Sequence, residues 1–157
     1  MRAAEFVSES LGEKLLPEPG TLPIKPGYVR LYHQTSLDNI ESIKRNGLLM
    51  SKAKGVEGPK SIWAGETPFY GNANDICTVE FQIPKQNWDP PFVNQSQVTP
   101  DEFLAVHEPW HKHARYMLSH PSTLKQVLNR EYDDLGGDYK MAIDFIKKLH
   151  REGKLND

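Results

Sequence analysis

The sequence has few of the features that mark a secreted or membrane protein. It contains one cysteine, Cys77, so a disulfide within the chain is excluded, which fits a reducing compartment or a protein that does without disulfides. No apolar run approaches the roughly 18 residues needed to cross a bilayer. Residues 1–10 also lack the apolar segment of a secretory signal. The sequence therefore predicts a soluble, cytoplasmic protein with no membrane partner.

A large excess of one charge is also lacking. Nineteen Lys and Arg residues against 21 Asp and Glu residues give a formal net charge of -2. Non-specific binding of nucleic acid through a basic surface is not indicated, although a local basic groove stays open as an alternative. What the chain does have is 3 Trp, 6 Tyr and 6 Phe residues, which argue against disorder. A chain of 157 residues is long enough to bury one core.

Three stretches differ along the chain. Residues 1–27 form an extended Pro-rich lead-in, because proline removes amide donors and disfavours helix in the residue before it. Residues 28–108 hold the predicted strands and form the core. Residues 109–157 are predicted to be a helical C-terminal extension of the same domain. Strands and one helix come first and helices last, which predicts an α+β fold.

The clearest strand pattern lies at residues 77–83, where apolar and polar residues alternate up to a proline and predict one buried face. Residues 28–33 alternate in the same way. Ser36 is then predicted to cap a helix, and Gly47 to end it. A further strand is predicted at residues 103–106.

A histidine-rich segment at residues 107–113, with His120 further along the chain, is a candidate metal site. On a helix, however, His111 and His113 point about 200° apart and cannot both face one ion. The segment has neither the His-Glu-x-x-His spacing nor a cysteine partner. We therefore expect no metal there, and we interpret the segment as a polar helix start.

Two motifs carry a resemblance to a known family. The first is the strand end Leu-Tyr-His-Gln-Thr-Ser at residues 31–36, followed by a helix that closes on Asn-Gly-Leu. The second is a short strand and turn at residues 61–71, which hold Trp63 and Tyr70. In this order, with a central strand after them, the motifs resemble those of the ADP-ribosyltransferase fold of poly-ADP-ribose polymerases and mono-ADP-ribosyltransferases. The resemblance implies two small, mainly antiparallel sheets that form an NAD cleft.

The resemblance also implies roles for individual residues. His33 would orient a ribose hydroxyl, and Gln34 would hold the nicotinamide carboxamide through its main chain. Tyr70 would stack on the nicotinamide ring, with Trp63 or Phe69 as substitutes. The cofactor-binding residues that it implies are His33, Gln34, Thr35, Trp63 and Tyr70.

The implied catalytic residues are His33, Tyr70 and Glu102, with Asp89 upstream as the other of the two nearest acids in the sequence. A carboxylate would stabilise positive charge on the ribose while ADP-ribose is transferred from NAD to a macromolecular target, protein or nucleic acid. With neither acid at the site, the alternative is a non-catalytic nucleotide-binding or protein-interaction module. Gln34, which stands where the family usually has glycine, favours that alternative. A role in a phage or a bacterial conflict system is a further expectation for small proteins of this type.

Overall fold

A computed structural model describes residues 15–50, 62–68, 76–129 and 137–155. The strands in these ranges are β1 Tyr28–Ser36, β2 Leu48–Leu49, β3 Ile62–Trp63, β4 Ile76–Pro84, β5 Trp88–Asp89, β6 Phe92–Val93, β7 Gln97–Val98 and β8 Phe103–His107. The α-helices in the same ranges are α1 Ile40–Asn46, α2 His111–Ser119, α3 Pro121–Asn129 and α4 Gly137–Arg151. None of these helices is long and apolar enough to cross a membrane. The predicted α+β class is confirmed.

The described strands form three sheets, where the resemblance implies two. In the central sheet β4 lies between β1 and β8, in the outer sheet β6 lies between β3 and β5, and β2 pairs with β7. Every one of these pairings is antiparallel. The count is higher because residues 88–98 contribute three strands of two residues each. An alternating pattern cannot reveal strands this short.

One face of the central sheet builds the core that the alternation predicts. Phe81 lies opposite Leu31, and Val79 lies opposite His33. Directly opposed residues share a face of the sheet, so Leu31 joins the apolar side of β4. The fully buried apolar residues of these two strands are Leu31, Cys77, Val79, Phe81 and Ile83. The buried residues packed against them are Ile40, Leu48, Ile62, Val93 and Val98.

The opposite face of β4 is also buried, which corrects the prediction of a single buried face. Thr78 and Glu80 are each 1% exposed. The lead-in passes over this face, where the main-chain N–H groups of Gly20 and Lys25 donate to the side chains of Glu80 and Gln82. Alternation distinguishes the two faces of a strand, but it does not show what covers the polar one.

The helix after β1 has the predicted start and stop. The Ser36 hydroxyl accepts the N–H of Asp38 (3.3 Å) in the 3₁₀ turn Leu37–Asn39 that leads into α1. Gly47 ends α1 with a φ of +80°. A Cβ at this position would lie 2.1 Å from the carbonyl oxygen of Val98. Both the positive φ and the close approach require glycine.

The chain divides into two compact units, one of them Pro19–Glu108 and the other Met1–Glu18 together with Pro109–Asp157. The described part of the second unit packs its helices around a core of Trp110, Ala114, Met117, Leu118, Val127, Ala142, Ile143, Ile146 and Leu149. Leu16, 7% exposed, belongs to this core, so this part of the lead-in is not peripheral as predicted. The ranges 1–27, 28–108 and 109–157 stay predictions as domain boundaries.

Candidate functional site

His33 lies near the end of β1, on the face of the central sheet that carries the apolar core. Its side chain is half-buried. Its Nδ1 lies 2.6 Å from the main-chain carbonyl oxygen of Trp63. A carbonyl oxygen only accepts hydrogen bonds, so Nδ1 carries the proton and donates. The imidazole is therefore oriented by a contact with β3.

Burial lowers the pKa of His33 below its ordinary value, and the hydrogen bond to the Trp63 carbonyl opposes only part of that effect. The ring is therefore neutral at pH 7. In a neutral ring protonated at Nδ1, the other nitrogen, Nε2, presents a lone pair. Nε2 has no hydrogen-bond partner among the described residues. It is free to accept a hydrogen bond from a hydroxyl group of a bound molecule.

A second contact holds the two predicted motifs together. Tyr32 donates its main-chain N–H to the carbonyl of Gly65 (2.8 Å), and Gly65 returns a bond to the carbonyl of Tyr32 (3.0 Å). This reciprocal pair joins β1 to the residues just after β3. The structure thus brings His33 and Trp63 together, although 30 residues separate them in the chain.

Trp63 exposes an indole ring that a neighbour supports. Its side chain is 42% exposed. The ring packs edge-to-face against Phe92 of β6, with centroids 4.6 Å apart and planes at 69°. Such a contact stabilises the orientation of both rings. An oriented, partly exposed indole offers a flat surface on which another ring can stack.

Asp89 lies in the same row of the outer sheet as Trp63. Phe92 of β6 is directly opposite Trp63 of β3 and also directly opposite Asp89 of β5. Directly opposed side chains point to the same side of a sheet. Neighbouring strands are about 4.8 Å apart, so the row spans roughly 10 Å between the outer Cα atoms. Of the two predicted acids, Asp89 is therefore the one on the aromatic face, and it is exposed.

Glu102 has structural contacts in the connection between β7 and β8. Its carboxylate accepts the main-chain N–H of Thr99 (2.9 Å), the hydroxyl of Thr99 (3.2 Å) and the side-chain amide of Gln95 (3.3 Å). These contacts include the capping box of the 3₁₀ turn Pro100–Glu102. The catalytic role predicted for Glu102 stays a prediction, and the described contacts give this carboxylate a structural use.

Two of the remaining predicted residues, Gln34 and Thr35, follow His33 on β1. Gln34 is exposed on β1 opposite Thr78. The hydroxyl of Thr35 accepts the side-chain amide of Asn39 (3.3 Å). Tyr70 and its predicted substitute Phe69 lie outside the described residues. The predicted stacking role of Tyr70 therefore stays a prediction.

A polar cluster that the sequence did not predict lies on the other face of the central sheet. We call it the Glu80 cluster. The carboxylate of Glu80 accepts from Nε2 of His107 (2.7 Å), from the guanidinium of Arg30 and from the N–H of Gly20 (3.2 Å). Arg30 also donates to the carbonyl of Leu22. Glu80 is 1% and His107 5% exposed. The cluster connects the lead-in, β1, β4 and β8.

Within this cluster, the guanidinium of Arg30 balances the negative charge of the Glu80 carboxylate. Burial by itself raises the pKa of Glu80, but the hydrogen bonds from His107, Arg30 and Gly20 outweigh it, and the pKa lies below its ordinary value. Burial, and then the negative charge of Glu80, raise the pKa of the Tyr32 phenol. The signal available in the sequence was that Arg30 and Glu80 both lie at polar positions of alternating strands. Only the antiparallel register brings them together.

The histidines predicted not to hold a metal have separate surroundings. His107 contacts Glu80, whereas His113 stacks on Tyr139 with centroids 4.1 Å apart. His120 packs on Tyr116 with centroids 3.8 Å apart. Within the part of the chain that the structure describes, no group of three or more His, Cys, Asp or Glu side chains could hold a metal ion.

Comparisons with known proteins add no assignment. No protein-family model matches the chain, and no curated protein and no solved structure matches it. The geometry of His33, Trp63 and Asp89 is therefore the basis for a function.

Proposed function

We propose that this protein binds NAD or a related adenine nucleotide at His33 and Trp63 and acts as an NAD-dependent ADP-ribosyltransferase-like protein. The observation that supports this most is the hydrogen bond from Nδ1 of His33 to the carbonyl of Trp63. It joins two segments that the sequence motifs single out separately. It also leaves Nε2 as an acceptor in a residue held against the strand of an exposed indole. An acceptor near an aromatic face suits a ribose and the ring attached to it.

Each group has a defined part in the proposed complex. Nε2 of His33 accepts a hydrogen bond from a ribose hydroxyl, and the indole of Trp63 stacks on the nicotinamide or the adenine. The main chain of Gln34 holds the carboxamide. Tyr70 keeps its predicted place as a further stacking residue.

The proposed chemistry needs a carboxylate. Transfer breaks the bond between ribose C1′ and the nicotinamide nitrogen, and nicotinamide leaves with the electron pair. A nucleophile of the macromolecular target then bonds to C1′ and loses its proton. Positive charge builds up on the ribose in between, and a nearby carboxylate stabilises it. Asp89 is the first candidate because it shares a row with Trp63. Glu102 is the second.

The alternative is a module that binds the nucleotide, or a protein partner, without chemistry. One observation favours it: the Glu102 carboxylate already accepts hydrogen bonds from Thr99 and Gln95. If Asp89 does not act on the bound nucleotide either, the protein binds the nucleotide and does not transfer ADP-ribose.

Two measurements on the purified chain separate these outcomes. Calorimetric titration with millimolar NAD measures binding, and chromatography of free nicotinamide measures cleavage. We expect His33→Ala to weaken binding by roughly 2- to 12-fold, as the loss of one hydrogen bond implies. Asp89→Asn should abolish nicotinamide release with little effect on binding. Asp101→Asn, which alters another exposed carboxylate, serves as the matched control.

The possible results are distinct. Release that is lost in Asp89→Asn and kept in Asp101→Asn supports the transferase. Release lost in Glu102→Gln instead would move the catalytic role to that residue. Binding without release supports the non-catalytic module. The absence of both binding and release at millimolar NAD would refute the site at His33 and Trp63.

A further inference from the structure

The helical unit has a surface that the proposed NAD site does not use. We propose that this surface, formed by exposed rings of α2 and α4 and by cations of α2 and α3, binds single-stranded nucleic acid. The inference is independent of NAD binding at His33, because it rests on a different unit of the chain and on different residues.

Two stacked ring pairs form the aromatic part of the surface. Tyr116 stacks on His120 with centroids 3.8 Å apart and planes at 18°. Tyr139 of α4 stacks on His113 of α2 with centroids 4.1 Å apart and planes at 25°. His113, Tyr116 and His120 follow a spacing of three and four residues, which places them on one side of α2 and its C-terminal end. The pairs thus belong to one stripe rather than to opposite sides of the unit.

The two phenol rings are open to solvent although each is supported. Tyr116 is 55% and Tyr139 52% exposed. Nδ1 of His120 lies 2.8 Å from the carbonyl of Tyr116 and must donate to it, which holds the imidazole in place. With one face of each phenol covered by an imidazole, the other face is presented in a fixed orientation. Such a ring loses little conformational freedom when a base stacks on it.

The helices of this unit carry an excess of positive charge, because α2, α3 and α4 hold seven Lys and Arg residues against Asp138 and Asp144. Residues 109–129 contain Lys112, Arg115 and Lys125 and no Asp or Glu. Lys112 and Lys125 are exposed, and neither forms an ion pair with another described residue. This local excess stands against the overall formal charge of -2. It gives the surface an attraction for a polyanion that the composition of the whole chain does not show.

The combination of rings and cations identifies the occupant. An acidic peptide would use the lysines and leave the phenols without partners. Duplex DNA would present phosphates but keep its bases stacked inside the helix. A single strand offers both phosphates for the cations and unpaired bases for the rings, which is the chemistry by which proteins bind single strands without sequence preference.

Fluorescence anisotropy of the purified full chain with labelled oligothymidine and oligouridine of about 20 nucleotides tests the proposal. We expect either single strand to bind more tightly than a duplex of equal length. Tyr116→Ala and Tyr139→Ala should each weaken binding at least about fivefold, and Tyr116→Phe should retain it, because a phenyl ring still stacks. Lys112→Gln, four residues before Tyr116 on α2 and exposed, should reduce the slope of log affinity against log salt by about 0.7, the value for one phosphate contact on a single strand.

Controls separate this surface from the NAD site and from unfolding. Tyr28→Ala removes an aromatic ring of the other unit and should leave oligonucleotide binding unchanged, as should His33→Ala. Far-ultraviolet circular dichroism checks that the tyrosine variants keep their helices, which their exposure predicts. No binding at low salt, equal binding of duplex and single strand, or unchanged affinity in both folded Tyr→Ala variants would each overturn the proposal.

Discussion

His33 and His107 are two histidines of one central sheet, and their surroundings differ. His33 on β1 donates through Nδ1 to a neutral main-chain carbonyl, is half-buried and leaves Nε2 open. His107 on β8 donates through Nε2 to the carboxylate of Glu80 and is 5% exposed. The open Nε2 of His33 can accept a hydrogen bond from a ligand, whereas His107 is one of the donors that surround the buried carboxylate of Glu80. The partner and the burial, rather than the residue type, separate a candidate site from a structural contact.

The largest expected effect lies on the His107 side of this comparison. Glu80→Gln removes the buried charge that holds Arg30 and His107, so the free energy of unfolding should fall by about 3–5 kcal/mol. Urea unfolding followed by tryptophan fluorescence measures it. Glu41→Gln is the control, because the side chain of Glu41 is 81% exposed in its pair with Lys44 and should change stability by less than about 1 kcal/mol. Equal stability of the two variants would contradict the assignment of Glu80 as a structural charge.

Truncating each histidine separates the two roles directly. His107→Ala should lower the free energy of unfolding by about 2–3 kcal/mol, because it removes a hydrogen bond to a charged group inside the sheet. His33→Ala loses one hydrogen bond to a neutral carbonyl and should cost no more than about 1.5 kcal/mol. NAD titration should show the reverse order, with the larger loss of affinity in His33→Ala. A loss of NAD affinity in His107→Ala but not in His33→Ala would show that the binding role belongs to His107 instead.

A smaller effect tests the aromatic half of the candidate site. Trp63→Ala removes the stacking surface and should weaken NAD binding by about 0.5–1.5 kcal/mol, whereas Trp63→Phe keeps a ring and should retain most of the affinity. Calorimetric titration of both variants measures the difference. If Trp63→Ala binds NAD as the unaltered chain does, the exposed indole has no part in the site.

A graded effect, smallest near neutral pH, is a dependence of stability on pH in two separate windows. The pKa of His33 is lowered in the folded state by burial, so the unfolded chain binds the proton more readily. Stability should therefore fall as the pH drops below 6.5, the ordinary value of histidine. The pKa of Glu80 is lowered by its hydrogen bonds, so its stabilisation is present above its ordinary value of 4.5 and is lost as the pH falls further.

Variants assign these windows to residues. His33→Ala should flatten the upper window, and Glu80→Gln should flatten the lower one. The pKa of His113 is also lowered, by burial first and then by the charge of Lys112. His113→Ala is therefore measured in parallel to separate its share. Unfolding curves at stepped pH give the result, and an upper window that is unchanged in His33→Ala would contradict the burial of that imidazole.

Patterns of near-neighbours in the sequence predicted the larger elements well. The long strand β4, the cap at Ser36 and the stop at Gly47 all follow from local spacing or local backbone requirements. The two-residue strands of the outer sheet did not, because a pair of residues has no period. The sequence motifs also singled out His33 and Trp63, but the hydrogen bond that joins them depends on how β1 and β3 meet.

The sequence by itself therefore determined the longer strands and the helices and which face of each is apolar, because these follow from residue propensities and from spacings of two and of three to four. The tertiary structure alone decided the partners. Register placed Arg30 and His107 on Glu80, and Asp89 in the row of Trp63, while the lead-in covered a polar face that the alternation predicts to be in water. These outcomes depend on contacts across 27 to 60 residues of chain. No local pattern encodes them, because the free energy of such a pair depends on burial and distance in the folded chain.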